Sequence, residues 1–254
     1  MNLKMIDLAG KLILVTGASS GLGRAISQKA SICGARVILV GRNQSRLKET
    51  LNSLHGKGHY ACCIDITDYN LLTKTIKEVV EKIGTIDGFV NSAGVDKTIP
   101  FKISKPAVFK EIFEVNVFAG FELLRIISNK NIVSPGGGSF ILLSSVLGRL
   151  GQYGETAYCA SKSALLSGIK AVALELAPRK IRCNCVLPGY VETELVKTLF
   201  DSITVETKEN IIKNHPLGIG EPADVAALVI FLLSDEAKWI TGAEYIIDGG
   251  YSIH

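Results

Sequence analysis

The apolar positions of the chain fall into two alternating kinds of segment. Short runs rich in β-branched residues recur at Leu12–Thr16, Arg36–Val40, Ala61–Ile64, Gly88–Asn91, Ser139–Ser144, Ile181–Leu187 and Glu244–Ile247. Runs of this length that stay apolar rather than alternating predict strands covered on both faces. Between them lie longer stretches with apolar residues three and four apart. These predict amphipathic helices over Gly23–Ile32, Ser45–Leu54, Tyr69–Ile83, Ala107–Ser128, Tyr158–Leu176 and Ala223–Leu233. Strand-then-helix repetition predicts an α/β fold, a doubly wound parallel sheet of about seven strands with helices on both faces. No linker-like segment divides the chain, so one domain is expected over residues 1–254. Residues 190–220 break the rhythm, because a strand precedes this segment and none follows it directly. An insertion beyond a strand's carboxyl end is where an open α/β sheet carries the loop that covers its ligand, so this segment is expected to form a substrate lid. Its apolar residues Leu195, Val196, Leu199, Phe200 and Ile203 suit either a hydrophobic substrate or packing on the body, and the pattern does not choose between them.

Composition narrows the class. With 47% hydrophobic residues the chain can bury a large core, and 20% charged residues is ordinary for a soluble protein. The formal charge of +4 comes from scattered Lys and Arg, with no basic run of the kind that binds nucleic acid or a membrane surface. The start, Met1 to Asp7, lacks a basic region followed by a long apolar stretch, so no signal peptide is expected. The longest apolar run, Ala226 to Leu233, is far short of the roughly 20 residues of a spanning helix. The cysteines at 33, 62, 63, 159, 183 and 185 match no metal or CxxC spacing. They read as reduced thiols of a cytoplasmic protein, with no metal expected.

Candidate chemistry begins where the first strand runs into Thr16-Gly17-Ala18-Ser19-Ser20-Gly21-Leu22-Gly23. The spacing is G-x-x-x-G-x-G. Gly17 permits a tight turn, Gly21 lets backbone approach a pyrophosphate, and Gly23 lets the first helix pack close with its N-terminal amides aimed at phosphates. At the end of the second strand stands Gly41-Arg42-Asn43. A carboxylate there takes the ribose 2′-hydroxyl of NAD, whereas an arginine accepts the 2′-phosphate of NADP. Arg42 therefore favours NADP(H) over NAD(H). In the second half, Tyr158-Cys159-Ala160-Ser161-Lys162 opens a helix. Residues four apart share a face, so phenol and ammonium lie side by side, and the cation is expected to lower a tyrosine pKa that is ordinarily about 10.

Together these pieces resemble the short-chain dehydrogenase/reductase family, in its compact single-domain branch, from about Leu8 to the C-terminus. Besides the glycine turn, the matching residues are Asp65, Asn91-Ser92-Ala93-Gly94, Asn116, Ser144-Ser145, Tyr158-x-x-x-Lys162 and Pro188-Gly189 with Thr193. Trp239-Ile240-Thr241-Gly242 and Asp248-Gly249-Gly250 complete the series in family order. The resemblance implies a Rossmann-type fold and an oxidoreductase that interconverts a carbonyl and an alcohol. It implies that Tyr158 is the acid–base group and that Ser145, rather than Ser144, bonds the substrate oxygen. Lys162 would hold the nicotinamide ribose, and Asn116 would anchor a water that relays protons. For the cofactor it implies Gly17, Ser19, Ser20, Gly21, Leu22 and Gly23 at the phosphates and Arg42 at the 2′ position. Asp65 and Ile66 would meet the adenine, Asn91, Ala93 and Gly94 would pass its ribose, and Pro188, Gly189, Val191 and Thr193 would lie at the nicotinamide. Two departures matter. Ser20 stands where many NADP users of the family carry a second basic residue, and the segment 130–138 is nearly neutral where relatives acting on acyl-carrier-protein thioesters tend to be basic. The second argues against a carrier-protein partner. A homo-oligomer, dimer or tetramer, is implied, with the Tyr158–Leu176 helix and the Asp248–His254 segment as contacts. The alternatives are an NAD-dependent dehydrogenase of a sugar, polyol or hydroxyacyl substrate and, more remotely, a nucleotide-binding sensor without turnover.

Overall fold

In the first strand, β1 (Leu12–Thr16), every residue is buried, and successive residues serve opposite faces of the sheet. Leu12 and Leu14 enter one apolar cluster, Ile13 and Val15 the other. A strand buried on both faces must be apolar throughout, which is why its sequence shows no alternation. The computed structural model describes residues 6–253. Its sheet is wholly parallel, in the order β3-β2-β1-β4-β5-β6-β7. The other strands are β2 (Arg36–Gly41), β3 (Tyr60–Cys63), β4 (Gly88–Asn91), β5 (Gly138–Leu143), β6 (Ile181–Pro188) and β7 (Glu244–Ile247). Three match the sequence-based bounds and four move by a residue at one or both ends, the ordinary uncertainty of element boundaries.

The helices are α1 (Gly21–Ile32), α2 (Gln44–Asn52), α3 (Tyr69–Ile83), α4 (Pro106–Phe113), α5 (Ala119–Ile127), α6 (Thr156–Leu176), α7 (Glu194–Ser202), α8 (Val205–Lys213) and α9 (Pro222–Leu233). One face of the sheet is covered by α3, α5 and α6 through Leu72, Ile76, Leu123, Ile127, Leu165 and Ile169. The other is covered by α1 and α9 through Ile26, Ala30, Val225, Val229 and Ile230. Close approach on the first face depends on Gly168, because a Cβ there would stand 2.3 Å from Cζ of Phe121. Among the described residues no helix is long and apolar enough to cross a membrane.

The structure changes three expectations. The helix predicted over Ala107–Ser128 is interrupted: α4 and α5 are joined by a π-helical turn, Glu114–Phe118, which carries Asn116 at its centre. The segment 190–220, without regular structure in the sequence reading, contains α7 and α8, each capped by its own threonine: Thr193 accepts from the Val196 amide and Thr204 from the Thr207 amide. Finally, the apolar stripe of α6, the helix expected at a contact with a second copy, faces its own sheet, and Leu174 is exposed on its outer face. Of the C-terminal segment expected at the same contact, His254 lies outside the described residues.

The order reverses between β1 and β4, whose successors run to opposite edges. At such a switch point the loops after neighbouring strands diverge and leave a crevice at the carboxyl ends.

Candidate active site

A cleft of about 960 Å³ occupies that crevice. Its floor is the glycine turn. Gly17 takes φ +63°, and a Cβ there would lie 2.9 Å from the Ala93 nitrogen, so the loop after β1 and the loop after β4 touch backbone to backbone. A Cβ on Gly23 would meet the Gly17 carbonyl oxygen at 2.4 Å. The two loops are pinned together by Thr16, which is fully buried. Its Oγ1 donates to Oδ1 of Asn91 at 2.8 Å and accepts from the Ser92 and Ala93 amides, each at 3.1 Å.

The N-terminus of α1 opens onto this floor without a cap of its own. Ser20 makes no side-chain capping bond, and the first turn holds no acid. By contrast, α2, α3, α7 and α8 are each capped by the side chain before them. Uncapped amides beside a backbone cradle that excludes any Cβ are a fit for a pyrophosphate. Ser19, Ser20, Gly21 and Leu22 line the cleft there. Along its wall stand Arg42, Asp65 and Ile66. Arg42 is largely exposed and pairs with Asp65 at 3.5 Å. Asp65 in turn accepts from the Thr67 amide at 3.0 Å and the Thr67 hydroxyl at 2.8 Å, and these bonds hold its carboxyl below the usual range. Capping of α3 falls to Asp68, whose side chain accepts from the Leu71 amide at 3.0 Å.

On the opposite side α6 begins, with Tyr158 in its first turn and Lys162 one turn on, both at the cleft. Lys162 is buried. Its Nζ donates to the Leu143 carbonyl at 2.9 Å and stands 5.5 Å from the Tyr158 ring centroid. Burial pushes its ammonium down to about 8. The phenol of Tyr158 is pushed well above its ordinary value, first by burial and then by the carboxylates of Asp96 and Glu155, while the Ser145 hydroxyl beside it pulls the other way. The expected lowering by Lys162 is therefore not what the protein alone produces. The desolvation that raises the phenol also drains charge from the lysine that was to oppose it.

The two adjacent serines separate by their partners. Ser144 spends its hydroxyl on the Lys162 carbonyl at 2.9 Å, whereas Ser145 accepts from the Leu147 amide at 3.1 Å and reaches Tyr158. Asn116 sits at the centre of the π-turn. Fully buried, its amide donates to the Val95 carbonyl at 2.9 Å and to Ser161 Oγ at 3.0 Å, and its Oδ1 accepts from the Val95 amide at 2.8 Å. Both amide hydrogens are taken, because a buried amide must be satisfied. The side chain thus fixes the loop after β4. Pro188 ends β6, Gly189 packs on Asp248, and the Val191 side chain turns into the second apolar cluster, leaving Thr193 of this group at the cleft. Gly94 stands within reach of Asn116 and Lys162. Sequence reasoning missed Asp96 and Glu194 on the cleft wall and Glu155 behind it, and named Leu195 only as part of the expected lid. None belongs to a motif, and only the fold brings Asp96, on the loop after β4, against the start of α6.

A family model described as enoyl-(acyl carrier protein) reductase matches residues 17–252. The chain belongs to the short-chain dehydrogenase/reductase family. Enzymes of this family are oxidoreductases acting on CH–OH and C=O groups. The chain is 33% identical over 249 residues to a 3-oxoacyl-[acyl-carrier-protein] reductase of Aquifex aeolicus, covering 96% of this chain and 98% of that one. It is 36% identical over 248 residues to the enzyme of the same name from Rickettsia felis, covering 97% and 98%. A solved 7α-hydroxysteroid dehydrogenase, complexed with NADH and 7-oxo glycochenodeoxycholic acid, superimposes with a TM-score of 0.89 at 29% identity, covering 96% of this chain and 95% of that one. The argument against a carrier-protein partner, drawn from the neutral 130–138 segment, finds no support in relatives named for carrier-protein substrates.

Proposed function

We propose that this short-chain dehydrogenase/reductase uses NADP(H) to reduce a carbonyl to a secondary alcohol, with Tyr158 as proton donor. The observation that carries the reading is the cluster at the cleft: the Tyr158 phenol against Ser145, with the Lys162 ammonium buried one helical turn away. A phenol held above its ordinary pKa is loaded with its proton at neutral pH, the form a reduction needs. Ser145, anchored by the Leu147 amide, orients the substrate oxygen toward that proton. Lys162 and the loop fixed by Asn116 keep the geometry in place. When bound, the nicotinamide supplies the hydride. The carbonyl carbon gains it, the oxygen takes the Tyr158 proton, and the tyrosine is reprotonated from solvent.

The pyrophosphate would be held by the uncapped start of α1 and the Gly17–Gly23 turn, and the 2′-phosphate by Arg42. Among substrates, 3-oxoacyl thioesters come first, because of the relatives named for them. The test is oxidation of NADPH and NADH over 3-oxoacyl thioesters, keto sugars, diketones, quinones and ring ketones, with Tyr158→Phe as control. Turnover on one class that falls by at least about a thousandfold in Tyr158→Phe, with cofactor affinity unchanged, is the expected result. Turnover retained by Tyr158→Phe would remove this residue from the mechanism.

A further inference from the structure

Glu155 ends the loop before α6, three residues ahead of Tyr158, and its side chain is almost wholly inaccessible to solvent. One carboxylate oxygen accepts the Thr98 hydroxyl. The other, Oε2, is buried with no hydrogen-bond partner, and so is Oδ1 of Asp96, on the loop that Asn116 fixes. The two carboxyl groups lie within hydrogen-bonding reach of one another. With both groups ionised, the buried Glu155 carboxylate and the half-buried Asp96 carboxylate leave two buried acceptor oxygens and no donor, an arrangement whose desolvation and repulsion are both unfavourable. One proton between them removes both faults. It satisfies each orphaned oxygen and leaves a single negative charge on the pair.

We infer that Asp96 and Glu155 share one proton and act together as positioning residues that set the pH range over which Tyr158 ionises. The inference rests on the reading of Tyr158 as the acid–base group. The titratable groups facing the pair are Tyr158, Cys159 and Lys162 on α6 and Tyr190 beyond β6. Lys97, next to Asp96, is turned away onto Glu111. Lys162 is thus the one cation of that set, and it is itself short of charge near pH 8. Burial, reinforced by Asp96, pushes the Glu155 carboxyl up to about 8. Below that pH the pair carries one charge, and above it two. The second charge raises the phenol further, so it opposes the phenolate that alcohol oxidation requires and preserves the proton-loaded form used in reduction.

The first measurement needs no substrate. Infrared spectra of the unliganded full chain are recorded from pH 6 to pH 10 for wild type, Glu155→Gln and Asp96→Asn. Wild type is expected to show a protonated-carboxyl carbonyl band that disappears as pH rises through about 8, and Glu155→Gln to lack it. No such band in wild type at pH 6 would overturn the shared proton. The second measurement follows phenolate absorbance against pH with NADP⁺ present, as the difference from a Tyr158→Phe partner in each background. Glu155→Gln is expected to ionise Tyr158 at lower pH by about one unit or more, with Asp96→Asn shifting in the same sense. An unshifted phenol in both variants would overturn the positioning role. Should no carbonyl be turned over in the panel above, the reductase reading fails while these two spectroscopic results still decide the pair.

Discussion

On the proposed reading, Arg42 sets the cofactor preference and its neighbour Asp65 moderates it. Its guanidinium is exposed at the end of β2 and already engaged by Asp65 at 3.5 Å. A 2′-phosphate must share the fork with that carboxylate or displace it, and Ser20 adds no second cation. Because the existing pair is solvent-exposed and worth at most about 1 kcal/mol, the phosphate wins the competition. Arg42→Ala is therefore expected to weaken NADPH by about 1.5–3 kcal/mol, roughly ten- to a hundredfold. NADH, which has no phosphate to lose, should change by less than about threefold. Binding titrations of both cofactors decide the matter, and equal losses would return the chain to the NAD-dependent alternative. The same residue-scale logic explains why the motif gave the identities of Tyr158 and Lys162 but not their electrostatics. A spacing of four places the two on one face of a helix, whereas their protonation depends on burial, on Asp96 from the loop after β4 and, for Tyr158, on Glu155 just ahead of the motif.

At the scale of elements, the central strands were legible because parallel strands buried on both faces must be apolar. The π-turn was not. Periodicity over 107–128 looks the same with one residue of slip, and only the tertiary demand that Asn116 reach Val95 and Ser161 selects the wider turn. The lid helices escaped for a different reason: they are short and mixed, and α8 has no buried residue to generate a stripe. The glycine turn yields its own prediction. With a Cβ on Gly23 placed 2.4 Å from a backbone oxygen, Gly23→Ala must push α1 away from the turn. It should destabilise the protein by about 1–3 kcal/mol and abolish measurable cofactor binding. Gly136, where a Cβ meets nothing within 4 Å, provides the control. Gly136→Ala should stay within about 0.5 kcal/mol of wild type. Thermal unfolding with and without cofactor reads both, and a Gly23→Ala protein that still gains stability from NADPH would contradict the role given to this turn.

For the molecule as a whole, the 190–220 segment, proposed as the lid, is held by an ion pair at one end and an aromatic cluster behind it. Arg46, in the first turn of α2, pairs with Glu194 at the start of α7 at 2.6 Å, bridging the mouth of the cleft. Behind it, Phe200 stacks on Tyr190, which meets both His215 and Tyr251 edge-on. The aromatic anchor is partly buried, whereas the ion pair is exposed and weak. Glu194→Gln should raise the cofactor dissociation rate by no more than about fivefold and leave thermal stability nearly unchanged, in keeping with an exposed pair. Stopped-flow release of NADPH at low and high salt measures it. A loss far larger than that, or one insensitive to salt, would mean that Glu194 contacts the cofactor directly.

The order of the strands across the sheet is also an order in time. Residues up to Asn91 contain β1 to β4, which sit side by side, so the turn that cradles phosphates and the Thr16–Asn91 bond that braces it are complete within the first part of the chain to leave the ribosome. Tyr158 is added sixty-seven positions after Asn91, about 3–13 s later at ordinary rates of synthesis. The nascent chain therefore contains the residues of the glycine turn and of its Thr16–Asn91 brace well before it contains Tyr158.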